Sequence, residues 1–154
     1  MTDKILNSTI YKRIGTESVE LIKKNRVVSY YSDETCKYMT VIVETYNNTI
    51  CKFILNNKFP FRPPESFIND IPFHTYVKVP KVYIYYMKLI FNKECFCCDS
   101  SLCENSWSPA KRLWEIVDEI EIIKKKKREL LYIYYCDIIS NKYLTHDLNL
   151  YQYF

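Results

Sequence analysis

Four cysteines lie close together in this 154-residue chain, which has seven cysteines in all. The four are Cys95, Cys97, Cys98 and Cys103. A cysteine thiolate is a strong nucleophile that can form a covalent thioester with a carbonyl group. Four thiolates can also bind a tetrahedral zinc ion, but the common zinc sites use two well-separated Cys-x-x-Cys pairs. The spacing therefore favours nucleophilic sulfur chemistry over a metal site.

An amphipathic helix is predicted directly after these cysteines, from Pro109 to about Ile123. Ser108 suits the N-cap position because its hydroxyl can accept a backbone N–H of the first turn. Proline is favoured at the first helical position, where its missing N–H costs nothing. Apolar residues then recur at helical spacing: Ala110, Leu113, Trp114, Val117 and Ile120. Such a helix would hold the cysteine loop in place.

Composition argues against several classes of function. The chain has one glycine, Gly15, so it cannot form a glycine-rich phosphate-binding loop. The net charge of +4 comes largely from the run Lys124 to Arg128, which we interpret as a solvated face or a junction between two helices. The N-terminus lacks the apolar segment of a signal peptide, and no apolar run is long enough to span a membrane. We therefore expect a cytoplasmic protein with neither a nucleic-acid nor a membrane partner.

The three cysteines outside the cluster are interpreted as small buried apolar residues. They are Cys36, Cys51 and Cys136. Because no secretion signal accompanies the odd number of cysteines, all seven are expected to be reduced thiols. No cofactor and no metal ligand are predicted.

The first half of the chain has the pattern of a helix followed by an antiparallel meander of three or four strands. The helix is predicted from about Thr9 to Asn25, and the strands from Val27 to Tyr31, Tyr38 to Thr45, Ile50 to Leu55 and Glu65 to Asp70. Alternation in the second strand places Met39, Val41 and Val43 on one side. Besides the helix from Pro109 to about Ile123 that follows the cysteine loop, one helix is predicted to begin at about Pro80 and another to run from Leu131 to about Asn141. This order indicates an α+β fold, and the aromatic tail Tyr143 to Phe154 is expected to pack back on the body.

Two motifs resemble those of the ubiquitin-conjugating enzyme family. Phe59-Pro60-Phe61-Arg62-Pro63-Pro64 is similar to the family's aromatic-Pro-Phe-basic-Pro-Pro segment after the third strand, and its three prolines require a rigid extended backbone. Trp107-Ser108-Pro109-Ala110 is similar to the element that follows the family's catalytic cysteine. The resemblance covers roughly residues 9–123. It implies one UBC-like domain over residues 1–154, with residues 124–154 as a C-terminal extension.

The chain also departs from the family's pattern. Residues 74–93 contain no His-Pro-Asn tripeptide, which in the family precedes the cysteine and supplies an Asn to the oxyanion. Asn47-Asn48 replaces the glycine-rich turn between the second and third strands. Low glycine content with heavy use of Lys, Ile, Asn and Tyr resembles the versions carried by large DNA viruses, which would place the protein in the host cytoplasm.

The resemblance implies a reaction and its partners. One cysteine would take ubiquitin or a ubiquitin-like protein from an activating enzyme as a thioester and pass it to a substrate lysine or a ubiquitin ligase. Spacing to an apolar residue and to the tryptophan ranks the candidates Cys98, Cys97 and Cys95, in that order. Asp99 beside them is interpreted as a solvated carboxylate. The ligase surface would include Phe61, Ser108, Pro109 and Ala110.

Two other functions fit the same residues. The missing His-Pro-Asn favours a catalytically inactive module of the same fold, which would bind ubiquitin or a partner conjugating enzyme. The four clustered cysteines would instead support an interaction domain stapled by zinc.

Overall fold

The computed structural model describes the backbone of residues 2–33 and 37–150, and the side chains of residues 8, 10–33, 37–103 and 105–142. The helices are α1 (Thr2–Lys24), α2 (Phe73–Tyr76), α3 (Ile84–Phe91) and α4 (Leu113–Leu150). The strands are β1 (Val27–Ser32), β2 (Met39–Glu44), β3 (Ile50–Leu55), β4 (Glu65–Ile68) and β5 (Ile71–Pro72). Three short 3-10 turns cover Lys81–Tyr83, Cys97–Asp99 and Glu104–Ser106.

The five strands form one antiparallel sheet in chain order, β1-β2-β3-β4-β5. The predicted α+β arrangement is confirmed, as is the inward side of β2, because Met39, Val41 and Val43 are all buried. The short strand β5 was not predicted. It forms because Asn69 and Asp70 both adopt positive φ angles, and this reverses the chain in a tight two-residue hairpin turn.

The main core lies between the sheet and two helices. Helix α1 contributes Ile10, Ile14 and Leu21, and α4 contributes Leu113, Ile116, Val117 and Ile120. A second cluster joins the segment before the cysteines to the middle of α4, and consists of Val77, Met87, Phe96, Ile123 and Leu130. Helix α4 therefore packs on both clusters and connects the sheet to the cysteine loop.

The predicted helical character of the segment beginning at Pro80 is confirmed by α3 and the 3-10 turn before it. Met87 on α3 is fully buried, and Tyr83 packs edge-on against Tyr134 of α4 with ring centroids 4.7 Å apart. This aromatic and β-branched segment is helical because its apolar side chains meet α4 rather than a neighbouring strand.

The predicted course of α4 is wrong at two points. The helix begins at Leu113 instead of Pro109, and residues 109–112 form a turn in which Lys111 N donates to Ser108 O at 2.9 Å. The helix also continues without a junction through the basic run. Because Ile123 and Leu130 are seven residues apart, they lie on one face and pack into the same cluster.

Several lysines of the basic run bind other elements, so the prediction of a uniformly solvated face is also wrong. Lys124 Nζ donates to Asn47 O and Thr49 Oγ1, both at 2.7 Å. Lys127 Nζ donates to Tyr76 O at 2.8 Å. The predicted packing of the tail, residues 143–154, lies outside the described side chains. Among the described residues, no helix combines the length and apolar character needed to cross a membrane.

Candidate active site

Three of the four clustered cysteines converge in the folded chain. The Sγ atoms of Cys95, Cys97 and Cys98 all lie within 4.8 Å of one another. Cys98 Sγ is 3.8 Å from each of the other two. Cys103 is not part of this group. We call the three residues the thiol cluster. Cys98 is exposed, while Cys95 and Cys97 are half-buried.

A buried phenylalanine holds the thiol cluster at the surface. Phe96 lies between two of the cysteines in sequence and is only 1% exposed. Its ring packs against Phe91 of α3 at a centroid distance of 5.9 Å, and its backbone N–H donates to Val77 O. The 3-10 turn Cys97–Asp99 follows directly. The backbone of the thiol cluster is therefore anchored while its sulfur atoms stay accessible.

The thiols of the cluster differ in acidity because they bond to one another. The hydrogen bond from the Cys97 thiol, helped by backbone N–H groups of Cys98 and Cys97, lowers the pKa of Cys95 against the opposing effect of burial. The same bond to Cys95, together with burial, raises the pKa of Cys97 to about 12. A thiolate formed on Cys95 would thus be stabilised by its neighbours, and a thiolate is the reactive form of cysteine.

Asp99 is an ion-paired residue, so its interpretation as a solvated carboxylate is wrong. Its side chain is 10% exposed and binds the ammonium groups of Lys93 and Lys126, the latter at 2.7 Å. Burial alone would raise the pKa of Asp99, but the hydrogen bonds from Lys126 and Lys93 outweigh it and lower the pKa. Lys126 connects the loop to α4, and Lys93 places positive charge near the sulfur atoms of Cys98 and Cys95.

This ion pair predicts a pH-dependent stability. We expect Asp99→Asn to reduce the free energy of unfolding by about 1–3 kcal/mol at pH 7, the range for hydrogen bonds to a charged group. Because the folded-state pKa is depressed, the carboxylate stabilises the fold above the unfolded-state pKa of about 3.9 and loses this effect as the pH falls through the folded-state value. Urea unfolding of both proteins from pH 7 to pH 3 tests this. A difference between them that stays constant over that range would contradict the prediction.

The segment after the thiol cluster is bound to α4 through one carboxylate. Glu119 accepts hydrogen bonds from the backbone N–H of Ser101 at 2.8 Å and from its hydroxyl at 2.9 Å. The Ser100 hydroxyl donates to the same oxygen at 3.2 Å. Glu119 also pairs with Lys111 at 2.8 Å. These contacts fix the path of the chain between the sulfur atoms and the Trp-Ser-Pro-Ala motif.

The two family-like motifs lie against each other. The indole Nε1 of Trp107 donates to Pro60 O at 2.8 Å, and its ring lies 6.2 Å from that of the buried Phe59. Phe61, by contrast, is 73% exposed. Ser108, Pro109 and Ala110 are exposed as well. Phe61 and the turn Ser108-Pro109-Ala110 are thus exposed to solvent on one rigid support. We call these four residues the Phe61 surface.

Two charged residues of α1 complete this support and were not singled out from the sequence. The Arg13 guanidinium donates to the carbonyl oxygens of Pro109 and Lys111 and lies 4.9 Å above the Phe59 ring. Glu17, which is 2% exposed, pairs with Arg13 and accepts the Leu113 N–H at 2.8 Å. The only sequence signal was their spacing of four residues on one predicted helix, which is the spacing of an ion pair.

The cysteines outside the cluster have different environments. Cys51 is fully buried, as predicted, and burial raises the pKa of its thiol to about 12. Cys136 is exposed on α4, so its predicted burial is wrong. Its neighbours Tyr134 and Asp137 contact Tyr83 and Tyr86, whereas Cys136 itself lies on a solvent-exposed face of α4. Cys36 lies outside the described residues.

No protein-family model, curated protein or solved structure matches this chain. The function is therefore argued from the thiol cluster, the Phe61 surface and the sequence motifs that form them.

Proposed function

We propose that this chain is a ubiquitin-conjugating enzyme that carries ubiquitin or a ubiquitin-like protein as a cysteine thioester. The observation that carries the proposal is the bond between Trp107 and Pro60, since it joins the two motifs that resemble the family. The second support is the exposed sulfur of Cys98, which lies on a loop that is bound to α4. The partners would be the modifier, its activating enzyme and a ubiquitin ligase.

The proposed reaction is a transfer between two sulfur atoms. A thiolate of the cluster attacks the carbonyl carbon of the modifier, which arrives as a thioester on its activating enzyme. The new C–S bond forms, the carbonyl oxygen carries a negative charge for the lifetime of the tetrahedral intermediate, and the old C–S bond then breaks. The departing sulfur leaves as a thiolate and takes up a proton. No oxidant or cofactor is needed, and the product is a thioester that still reacts with amines and thiols.

We assign the nucleophile to Cys98, with Cys97 and Cys95 as the alternatives. Accessibility supports this assignment, because a protein-bound thioester must reach the attacking sulfur and Cys98 is the exposed member of the cluster. Cys98 also lies 3.8 Å from both other sulfur atoms, so a negative charge stabilised in the cluster is within reach of it. The lowered pKa of Cys95 makes that residue the strongest competitor.

The negative oxygen of the intermediate needs a partner in place of the missing His-Pro-Asn. Loss of one such donor typically slows acyl transfer by roughly 10²–10³-fold. Lys93 is the candidate, since its ammonium interacts electrostatically with Cys98 and Cys95 and is held nearby by Asp99. A fixed cation beside the reacting sulfur can stabilise a developing oxyanion.

A charging assay tests the proposal directly. The purified chain is mixed with ubiquitin, its activating enzyme and ATP, and the products are separated with and without reductant. We expect a band heavier by one modifier that disappears on reduction, as a thioester should. Absence of this band for a folded protein, across activating enzymes for several modifiers, would contradict the proposal. That result would favour the inactive binding module, which the missing His-Pro-Asn and the exposed Phe61 also fit.

The Phe61 surface supports a separate prediction about the ligase. We expect Phe61→Ala to weaken binding to a cognate ubiquitin ligase domain by about 2 kcal/mol or more, roughly 30-fold, as for a central aromatic contact. Because Phe61 is 73% exposed, its loss should change the free energy of unfolding by no more than about 0.5 kcal/mol. Tyr85→Ala is the matched control, since Tyr85 is a similarly exposed aromatic residue on α3. Equal binding by the two variants would exclude Phe61 from the interface.

A further inference from the structure

The spacing of the sulfur atoms in the thiol cluster fits a metal ion. Two sulfur atoms bound to zinc at about 2.3 Å and separated by the tetrahedral angle are about 3.8 Å apart. The Cys98 Sγ atom has this separation from both Cys95 and Cys97, and all three atoms lie within 4.8 Å of one another. The three sulfur atoms are therefore close enough together to bind a single ion without any rearrangement of distant elements.

We propose that Cys95, Cys97 and Cys98 bind one zinc ion through three thiolates, with the fourth position open to water. Thiolate ligands select zinc over the hard cations magnesium and calcium. The site has access to solvent because Cys98 is exposed and the other two thiols are half-buried. Each thiol would lose its proton when it binds the ion. No metal ligand was predicted from the sequence, so this site is an addition to that prediction.

The surrounding charges suit three thiolates and one divalent ion, which together carry one negative charge. The Lys93 ammonium interacts electrostatically with Cys95 and Cys98 and would balance this charge. Asp99 is fully engaged by Lys93 and Lys126, so it is not available as a fourth ligand. Glu94 is paired with Lys88 at 2.7 Å on the outer side of the loop. Because both of these carboxylates are paired with lysines, water would be the fourth ligand.

Such a site would act mainly in regulation and would contribute little to the stability of the fold. All three ligands lie within a few residues of one another, so the metal would close only a very short loop and would contribute little to chain entropy. Structural zinc sites usually have four protein ligands, whereas a site with three keeps an exchangeable position. If the proposed function holds, the ion would occupy the same sulfur atoms as the thioester, and the two would exclude each other.

Cobalt(II) is the probe for the site, because its bonds to thiolates absorb in the near ultraviolet and it is displaced by zinc. The reduced full-length chain is titrated with cobalt without oxygen, and zinc is then added. We expect one cobalt per chain with a thiolate absorption that zinc abolishes. Replacing any one of Cys95, Cys97 or Cys98 by serine should weaken binding at least about 100-fold, since even an outer-shell change costs 10- to 100-fold. Cys103→Ser and Cys136→Ser are the matched controls and should bind as the unaltered chain does.

Three results would overturn the metal site as proposed. They are the absence of a thiolate absorption, unchanged binding by Cys98→Ser, and loss of binding in Cys103→Ser, which would indicate four protein ligands. The charging assay repeated with one zinc per chain should lose the thioester band, and a chelator should restore it. A cobalt spectrum without charging would support the metal site and remove the conjugating function, whereas charging without a cobalt spectrum would do the reverse.

Discussion

Cys98→Ala should reduce the rate of thioester formation by at least about 1,000-fold in the charging assay. Removal of the nucleophile from a covalent mechanism eliminates the intermediate itself, and comparable losses elsewhere reach about 10⁶-fold. A 1,000-fold loss corresponds to about 4 kcal/mol of transition-state stabilisation. The measurement is the initial rate of appearance of the reductant-sensitive band, at equal concentrations of activating enzyme.

The other cysteines provide the comparison. Cys103→Ala and Cys136→Ala should charge at the unaltered rate, because neither residue belongs to the thiol cluster. Cys95→Ala and Cys97→Ala should charge more slowly but measurably, since each removes one neighbour that bonds to the remaining sulfur atoms. Full activity of Cys98→Ala together with complete loss in Cys95→Ala would transfer the nucleophile to Cys95, whose pKa is lowered.

The second large effect is expected on stability, from Glu17→Ala. Glu17 is buried and bonds both to Arg13 at 2.9 Å and to the Leu113 N–H at 2.8 Å. Its removal would leave the Arg13 side chain, which is 17% exposed, without its carboxylate partner. It would also leave the Leu113 N–H in the first turn of α4 without an acceptor. Loss of one partner from a buried ion pair costs about 3–5 kcal/mol. The free energy of unfolding from urea titration should fall by this amount.

Glu20 offers a matched control on the same helix. It pairs with Lys23 in a solvent-exposed contact three residues away, so Glu20→Ala should change the free energy of unfolding by no more than about 0.5 kcal/mol. Glu17→Gln should fall between the two, because the amide oxygen can still accept the Leu113 N–H while the charge is lost. If Glu17→Ala were as stable as Glu20→Ala, the assigned role of Glu17 would be wrong.

The consequence of Glu17 loss for function can be separated from its effect on stability. Arg13 holds the carbonyl oxygens of Pro109 and Lys111, and these residues flank the exposed turn of the Phe61 surface. At a temperature where Glu17→Gln remains folded, we expect weaker ligase binding with an unchanged charging rate. A uniform loss of both activities would indicate general unfolding instead.

The parts of the fold that were predicted correctly depend on neighbouring residues. The alternation of β2 places Met39, Val41 and Val43 inward because side chains of a strand alternate between its faces. The turn at Asn48 forms where asparagine tolerates a positive φ, here 57°. Helical and strand periods, turn residues and prolines act over a few residues, so they can be read directly along the chain.

The first residue of α4 is a case in which distant contacts prevail. Ser108 and Pro109 have the local signature of a helix start, yet the helix begins at Leu113. Arg13 occupies the carbonyl oxygens of the intervening turn, and Glu17 accepts the Leu113 N–H from 96 residues away. The Ser108 hydroxyl still accepts the Ala110 N–H at 3.3 Å, but the helix starts where the buried carboxylate of Glu17, which would be costly to leave unpaired, accepts the Leu113 N–H.

The sequence by itself determined the order of elements, the inward side of the sheet and a cysteine cluster near an amphipathic helix. The extended backbone predicted for the proline-rich segment was wrong, because residues 57–61 form a turn in which the Arg62 N–H donates to Lys58 O at 3.0 Å. Only the tertiary structure decided which sulfur atoms meet. It gathered Cys95, Cys97 and Cys98 and left out Cys103, and it placed Lys126 on Asp99 across 27 residues. Periodicity and turn propensity are local properties of a chain, whereas the cysteine loop is held by the packing of Phe96 on Phe91 of α3, and Asp99 gains Lys126 only once separate segments pack together.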